Sequence, residues 1–436
     1  MDGAALTAAT RLATLLALTR TAPGDAGPDR GPRDFRVHAY DLELSIDRAH
    51  ERVAGRERLH LRSAQPGLAT LAFPLNGIEV SSVAAAGRPL PYAVADGALV
   101  LRPSQPLAAG EELEVTIAYE ARKPKGVTFG PAVVYTAFST CHWMVCRDRP
   151  DDRASFRLTI DVPAGETLVA SGSPIEARGH TWSEDAPSAP YLFGFALGRM
   201  TKTTRQQGGV TFEYFLTGED EAWRARVFAD DERMLAFFVE KAGRPWPRAV
   251  YRQVVVDGGV AQEVSSFSIL GREGLDPRLA DPQEDWLVAH EMAHQVWGNL
   301  LTAADWSQLW LNEGITSFLV AAYKERRWGR AAYERELDHL RRRHRSAVDA
   351  GLDLPLTFPG EYPSLTMKRA ITYAKAALFL DRLRAAMGER AFWGALATYT
   401  RAFAERPVTS EDFERTFAAA TDVDLSPLFN GWVDGP

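Results

Sequence analysis

The sequence predicts an all-β N-terminal part followed by an α+β part that is mainly helical. Three observations carry that reading. Short alternating apolar segments separated by Gly, Pro and Asp fill the stretch from Asp34 to about Lys202. Helical periodicity dominates from residue 285 onward. At 436 residues the chain suits two domains of roughly 200 residues, each able to bury its own core. The expected division is an N-terminal extension and linker at 1–33, a β domain at 34–203, and a mainly helical domain at 204–436.

Taken in order, Leu12 to Leu18 is apolar but short, Arg11 interrupts it from upstream, and Asp2 replaces the basic start of a signal peptide. A frayed or helical extension is therefore expected in preference to a cleaved signal. Thr21 to Pro32 has linker composition. The β reading rests on Tyr40-Leu42-Leu44-Ile46, Leu113-Val115-Ile117-Tyr119 and Phe156-Leu158-Ile160, whose period of two predicts an antiparallel domain. A polar stretch, Thr201 to Gln207, follows. Strand-like pieces at Val210 to Leu216 and Val250 to Val256 then give way to predicted helices at 285–298, 309–328, 331–347, 367–386 and 390–404. Gly329 and Gly388 fit helix ends.

Composition narrows the function. With 46% hydrophobic and 25% charged residues and a formal charge of −7, neither a nucleic-acid surface nor an acidic tail is indicated. The run Arg341 to Arg345 lies near Glu334, Glu336 and Asp338, as a solvated helix face would. No window approaches the 18 apolar residues of a membrane span. Two cysteines, Cys141 and Cys146, are too few for a disulfide framework, so two free thiols in or near a strand are expected, with one disulfide left open if the protein is exported. A cytoplasmic monomer is expected, export being the alternative.

The chemistry concentrates in Asp285 to Gln295, which contains His290-Glu291-x-x-His294 in a run without Gly or Pro. On a helix, positions i and i+4 lie one above the other, so both imidazoles can reach one metal ion. Glu291 is turned about 100° away, beside the metal as a base for water and not as a ligand. A catalytic zinc needs a third ligand and an open position. Eighteen residues separate His294 from Glu313, which sits in Leu309-Trp310-Leu311-Asn312-Glu313-Gly314. That gap can finish one helix, cross a loop containing Thr302 to Asp305 and start a second helix. One zinc ion per chain is expected, held by His290, His294 and Glu313.

This arrangement resembles the aminopeptidase N family of gluzincins. Gln295, Gly298-Asn299-Leu300 and Trp310 to Gly314 match that family's surroundings of the HEXXH motif. Asp152 to Phe156, Asp161-Val162-Pro163, Ala170-Ser171-Gly172 and Tyr191 to Gly198 look like its β-domain signatures. The resemblance implies a saddle-like antiparallel β-sandwich domain, then a thermolysin-like catalytic domain, and an aminopeptidase acting on peptides with a free N-terminus. Gly259 to Val264 stands where the family has its G-A-M-E-N loop, which implies substrate binding by Ala261, Gln262 and Glu263, with Glu263 anchoring the amine. Tyr373-Ala374-Lys375-Ala376-Ala377-Leu378 resembles its Y-x-K-G-A-x-x-L, which implies Tyr373 as oxyanion donor. The sequence departs from the pattern in four places. Gly259 to Val264 keeps Ala-x-Glu but loses the first Gly in register and the final Asn. Thr140 and His142 stand where a β-domain Gln or Glu is usual near the amine. Val320 replaces a further Glu. Asp424 to Val433 resembles the close of the catalytic domain, so a two-domain form without the C-terminal helical domain is expected. The altered loop and the shorter form leave a thermolysin-like endopeptidase as one alternative; a non-catalytic binding protein on the same fold is the other.

Overall fold

The computed structural model describes residues 33–175, 180–218 and 221–435, so the expectations for the first 32 residues lie outside the described residues. By packing the chain divides into two compact units. One runs to Thr302 and takes in Ala404–Pro407; the other comprises Ala303–Phe403 and the chain from Val408.

In the first unit, alternating segments form β1 (Phe35–Asp47), β2 (Arg52–Ser63), β3 (Ile78–Ala85), β4 (Arg88–Pro89), β5 (Glu112–Arg122), β6 (Ala154–Ile160), β7 (Ser173–Pro174) and β8 (Thr181–Ser188). They make one sheet in the order β7-β8-β6-β1-β2-β5-β3-β4. A bulge between Val37 and Ala39 shifts the buried phase of β1 from Phe35 and Val37 to Tyr40, Leu42 and Leu44. One expectation needs correcting. The sheet is not wholly antiparallel, because β1 and β6 pair in parallel, Tyr40 beside Phe156 and Leu42 beside Leu158. The long connection between them lets the chain return in the same direction. Phe156 stacks on Phe193 with ring centroids 4.3 Å apart, and both rings belong to the buried core.

The expected free thiols are also corrected: Cys141 and Cys146 form a disulfide, with Cα atoms 5.1 Å apart. Residues five apart in a strand would be about 16 Å apart on opposite faces. Here the chain leaves the strand Val133–Thr136 and makes a 3-10 turn at Thr140–His142, which brings the two sulfurs together. The loop is tied to the large sheet by Glu57, whose carboxylate accepts from the Val145 N–H at 2.8 Å. Burial pushes the Glu57 carboxyl well above its ordinary pKa.

A second sheet contains β9 (Thr201–Gln207), β10 (Val210–Leu216), β11 (Val250–Val256), β12 (Ala261–Gln262) and β13 (Phe267–Gly271), in the order β9-β10-β11-β13-β12. The polar stretch is thus an edge strand, paired along its length with β10. Its Lys202 pairs with Glu213, and charge of this kind on an edge discourages further strand addition. The helices α1 (Asp231–Ala242) and α2 (Trp286–Ala293) complete the parts of this unit that matter for the site.

The second unit is helical: α3 (Trp310–Trp328), α4 (Arg330–Asp349), α5 (Ala376–Met387) and α6 (Glu389–Ala402). Gly329 and Gly388 stand at helix junctions, as expected. The segment expected as one helix at 367–386 is three pieces, a short helix Leu365–Arg369, a π-helical turn Ala370–Lys375, and α5. A Cβ on Gly314 would meet the Cβ of Ala376 at 2.4 Å, so α3 and α5 approach each other more closely than any larger residue at 314 allows.

Candidate metal centre

The helix α2 ends at Ala293, five residues before the expected stop, and His294 is its capping residue. The Nε2 atoms of His290 and His294 face each other at 3.0 Å. Two nitrogens on one tetrahedral zinc ion stand about 3.3 Å apart, from zinc–nitrogen bonds of about 2.05 Å. Trp286 stacks on the His290 ring with centroids 4.3 Å apart, which sets that ring's plane.

The early helix end has a chemical consequence. The chain turns at Trp297 and Gly298, and the Trp297 carbonyl comes to 3.0 Å from His294 Nδ1. A carbonyl only accepts, so Nδ1 carries the proton and Nε2 presents its lone pair. Gly298 makes this turn possible. Its φ is +154°, and a Cβ there would lie 2.9 Å from His294 Nδ1.

Glu313 lies in the first turn of α3, anchored on either side in sequence. The Ala303 N–H donates to Asn312 Oδ1 at 3.1 Å, and Gly314 seats against Ala376. One donor atom each from His290, His294 and Glu313 lies within 4.8 Å of the others, and all three residues are buried. Two imidazole nitrogens and a carboxylate oxygen fit a catalytic zinc ion. Glu291 is 5% exposed, and its backbone carbonyl accepts from Ser268 Oγ at 3.4 Å, which fastens α2 to β13.

The segment expected to read the substrate amine runs out of β12, whose Ala261 and Gln262 pair with Leu270 and Ile269 of β13. Gln262 uses both ends of its amide. Oε1 accepts from the Phe138 N–H at 2.7 Å, and Nε2 donates to the Tyr191 carbonyl at 2.8 Å. Val264 is held from the other side, its carbonyl accepting from Gln295 Nε2 at 3.4 Å and Asn299 Nδ2 at 3.3 Å. Glu263, between these two anchored residues, is 5% exposed. Phe138 and Ser139 both have left-handed backbones, with φ of 57° and 50°, each a strain of about 1–3 kcal/mol for a residue with a side chain. Thr140 is buried and His142 half-buried, both in the turn that follows, and Ala261 is half-buried.

Comparison with known proteins agrees with this geometry. The profile described as "Peptidase family M1 domain" matches residues 277–432, a span that contains every residue of the metal centre. The chain is 24% identical to the aminopeptidase N of Lactobacillus delbrueckii subsp. lactis, over 92% of this chain and 51% of the relative. With the aminopeptidase N of Caulobacter vibrioides identity is 30%, over 66% of this chain and 36% of the relative. Residues 277–432 carry a peptidase family M1 domain. The chain spans about half the length, or less, of these aminopeptidase N relatives. Among solved structures it resembles an M1 zinc metallopeptidase from Deinococcus radiodurans, with a TM-score of 0.77 and 23% identity, over 95% of this chain and 97% of that one. The likeness takes in the β-rich part and the helical part of the M1 fold, so the expected fold class is the one observed.

Tyr373 falls in the π-helical turn of this M1 domain. It is half-buried in a run where Ala370, Ile371, Thr372, Ala374 and Lys375 are all buried. A π turn inserts a residue and re-aims the side chains around it, often at functional sites. Lys375 is structural. Its ammonium donates to the Leu354 carbonyl at 2.8 Å and pairs with Asp353 at 3.0 Å, and burial lowers its pKa.

Three roles were missed from the sequence. Gln295 and Asn299 are matched there as motif flanks, yet their work is to hold Val264. Arg153 donates to Thr302 Oγ1 at 2.7 Å, and that hydroxyl donates to the Gly298 carbonyl at 2.8 Å, steadying the turn beside His294. For Gln295 and Asn299 the available signal was a polar residue close after a metal motif; Arg153, far upstream of it, carried none.

Proposed function

We propose that this chain is a zinc-dependent aminopeptidase that removes N-terminal amino acids from peptides. The convergence of His290, His294 and Glu313 on one buried point, with Glu291 alongside, carries the reading. Zinc held by those three residues supplies a Lewis acid that polarises the scissile carbonyl and acidifies water. Glu291 takes a proton from the attacking water and delivers it to the departing nitrogen. Glu263 receives the substrate's ammonium group through a charge-assisted hydrogen bond, which favours terminal over internal residues. Tyr373 donates to the oxygen on which charge develops. Ala261, Thr140 and His142 line the substrate's N-terminal side.

In this reading residues 34–203 are the β domain and 204–436 the catalytic domain, the boundary falling within β9. The helices of the described residues include none long and apolar enough to cross a membrane. The Cys141–Cys146 disulfide favours an oxidising compartment over the expected cytoplasm, where thiols are kept reduced.

The test is a panel of fluorogenic aminoacyl amides, free and N-acetylated, with and without a chelator. Free substrates should turn over, acetylated ones should not, and chelation should abolish activity until zinc is restored. Cleavage of acetylated peptides would support an endopeptidase instead. Zinc binding without any turnover would support a binding protein.

A further inference from the structure

We infer that the Cys141–Cys146 loop is a brace for the amine-reading segment, and that Gln262 is the positioning residue through which the brace acts on Glu263. The inference rests on Glu263 as the amine anchor. It differs from a role for Gln262 at the substrate, because both ends of that amide are engaged with the protein.

The chain of contacts is continuous. The disulfide closes the loop from 141 to 146. Three side chains fasten that loop to its surroundings: Asn76 Nδ2 donates to the Cys141 carbonyl at 3.4 Å, Tyr119 Oη donates to the Trp143 carbonyl at 2.9 Å, and Glu57 accepts from the Val145 N–H at 2.8 Å. Immediately before the loop, the left-handed pair Phe138 and Ser139 turns the Phe138 N–H onto Gln262 Oε1. A backbone pair in that region persists only where its surroundings over-determine it, and the disulfide with its three partners supplies that constraint. Gln262 relays it to the next residue, Glu263, while its own Nε2 is moored on Tyr191. Without the loop Gln262 keeps its Tyr191 bond and its pairing with β13, and Val264 keeps Gln295 and Asn299, but the Gln262 amide loses the partner that fixes its other end, and with it the precision a recognition site needs.

The effect should therefore fall on capture of the N-terminus and leave the chemical step alone. The experiment uses the full chain loaded with zinc, an aminoacyl coumarin amide as probe, and two variants, Gln262→Leu and the double variant Cys141→Ala/Cys146→Ala. Each should raise KM about tenfold, the loss that goes with one hydrogen bond, with kcat and zinc content within about twofold of wild type. Combined with Glu263→Gln, neither should raise KM further, because each acts through that carboxylate. Hydrogen exchange should quicken at residues 138–145 and 261–264 together. An unchanged KM with Gln262→Leu, or an undiminished effect in the Glu263→Gln background, would overturn the brace. If Glu263→Gln alone leaves KM unaltered, the amine-anchor reading falls, and coupled hydrogen exchange then decides the brace separately.

Discussion

The histidine pair and the Glu263 segment reach their positions by opposite means. His290 and His294 are four residues apart on one helix, and the helix repeat alone points both rings to the same side. Glu263 is placed by partners far away in sequence. The bonds on its neighbours span 124 and 71 residues from Gln262, and 31 and 35 residues from Val264. Local geometry makes the metal site robust to change elsewhere. Distant partners make the Glu263 segment sensitive to many positions, each with a modest effect.

That contrast can be broken at graded strength. The largest effect should come from Glu291→Gln, which lies within the local motif but ligates nothing: kcat should fall by about 10³-fold, with zinc retained by metal analysis. Next comes Gly298→Ala. The added methyl would crowd His294 Nδ1 and disturb its bond to Trp297, so chelator competition should show zinc affinity reduced about 10–100-fold. Asn299→Ala should do less, since Gln295 still reaches the Val264 carbonyl; a rise in KM of about threefold is expected, with zinc affinity unchanged. If Asn299→Ala instead strips the metal, the two regions are not separable.

The smallest effect concerns the sheet beneath both regions. Asp231 accepts from Tyr214 Oη at 2.9 Å and Gln253 Nε2 at 2.6 Å, and burial raises its pKa to about 7. From the ordinary carboxylate value up to about 7 the unfolded chain has lost this proton and the folded chain has kept it. Stability is therefore lost as pH rises through that window. Asp231→Asn removes the titration, so its Tm relative to wild type should climb between pH 4 and pH 7. A Tm difference flat across that range would contradict the raised pKa.

The same contrast explains what could be read without a structure. The His290–His294 pair and the order of β-rich then helical parts follow from periods of 3.6 and of two residues, and these are local. The parallel pairing of β1 with β6 is not, because an alternating strand reads alike in either direction. Thr201–Gln207 shows no apolar alternation that would mark a strand, because its edge position leaves it polar. The Cys141–Cys146 bond depends on a tight turn that two cysteines do not announce. Gln262 could be located by resemblance to the G-A-M-E-N loop, but its use as a fork between Phe138 and Tyr191 is a fact of three-dimensional proximity.

The π-helical turn at Ala370–Lys375 alters the phase of the helix that follows it. In an uninterrupted α-helix residues 373 and 377 lie on one face, so a tyrosine and an alanine there would share one environment. Here Ala377 is fully buried while Tyr373 is not. The extra residue turns the upstream part by roughly a quarter of a revolution relative to the downstream part. One continuous rod of chain can thus seat small residues tightly against a neighbouring helix at one end and leave Tyr373 half-buried at the other. Deleting a single residue from that turn would bring both ends back into step, and neither requirement could then be met without abandoning the other.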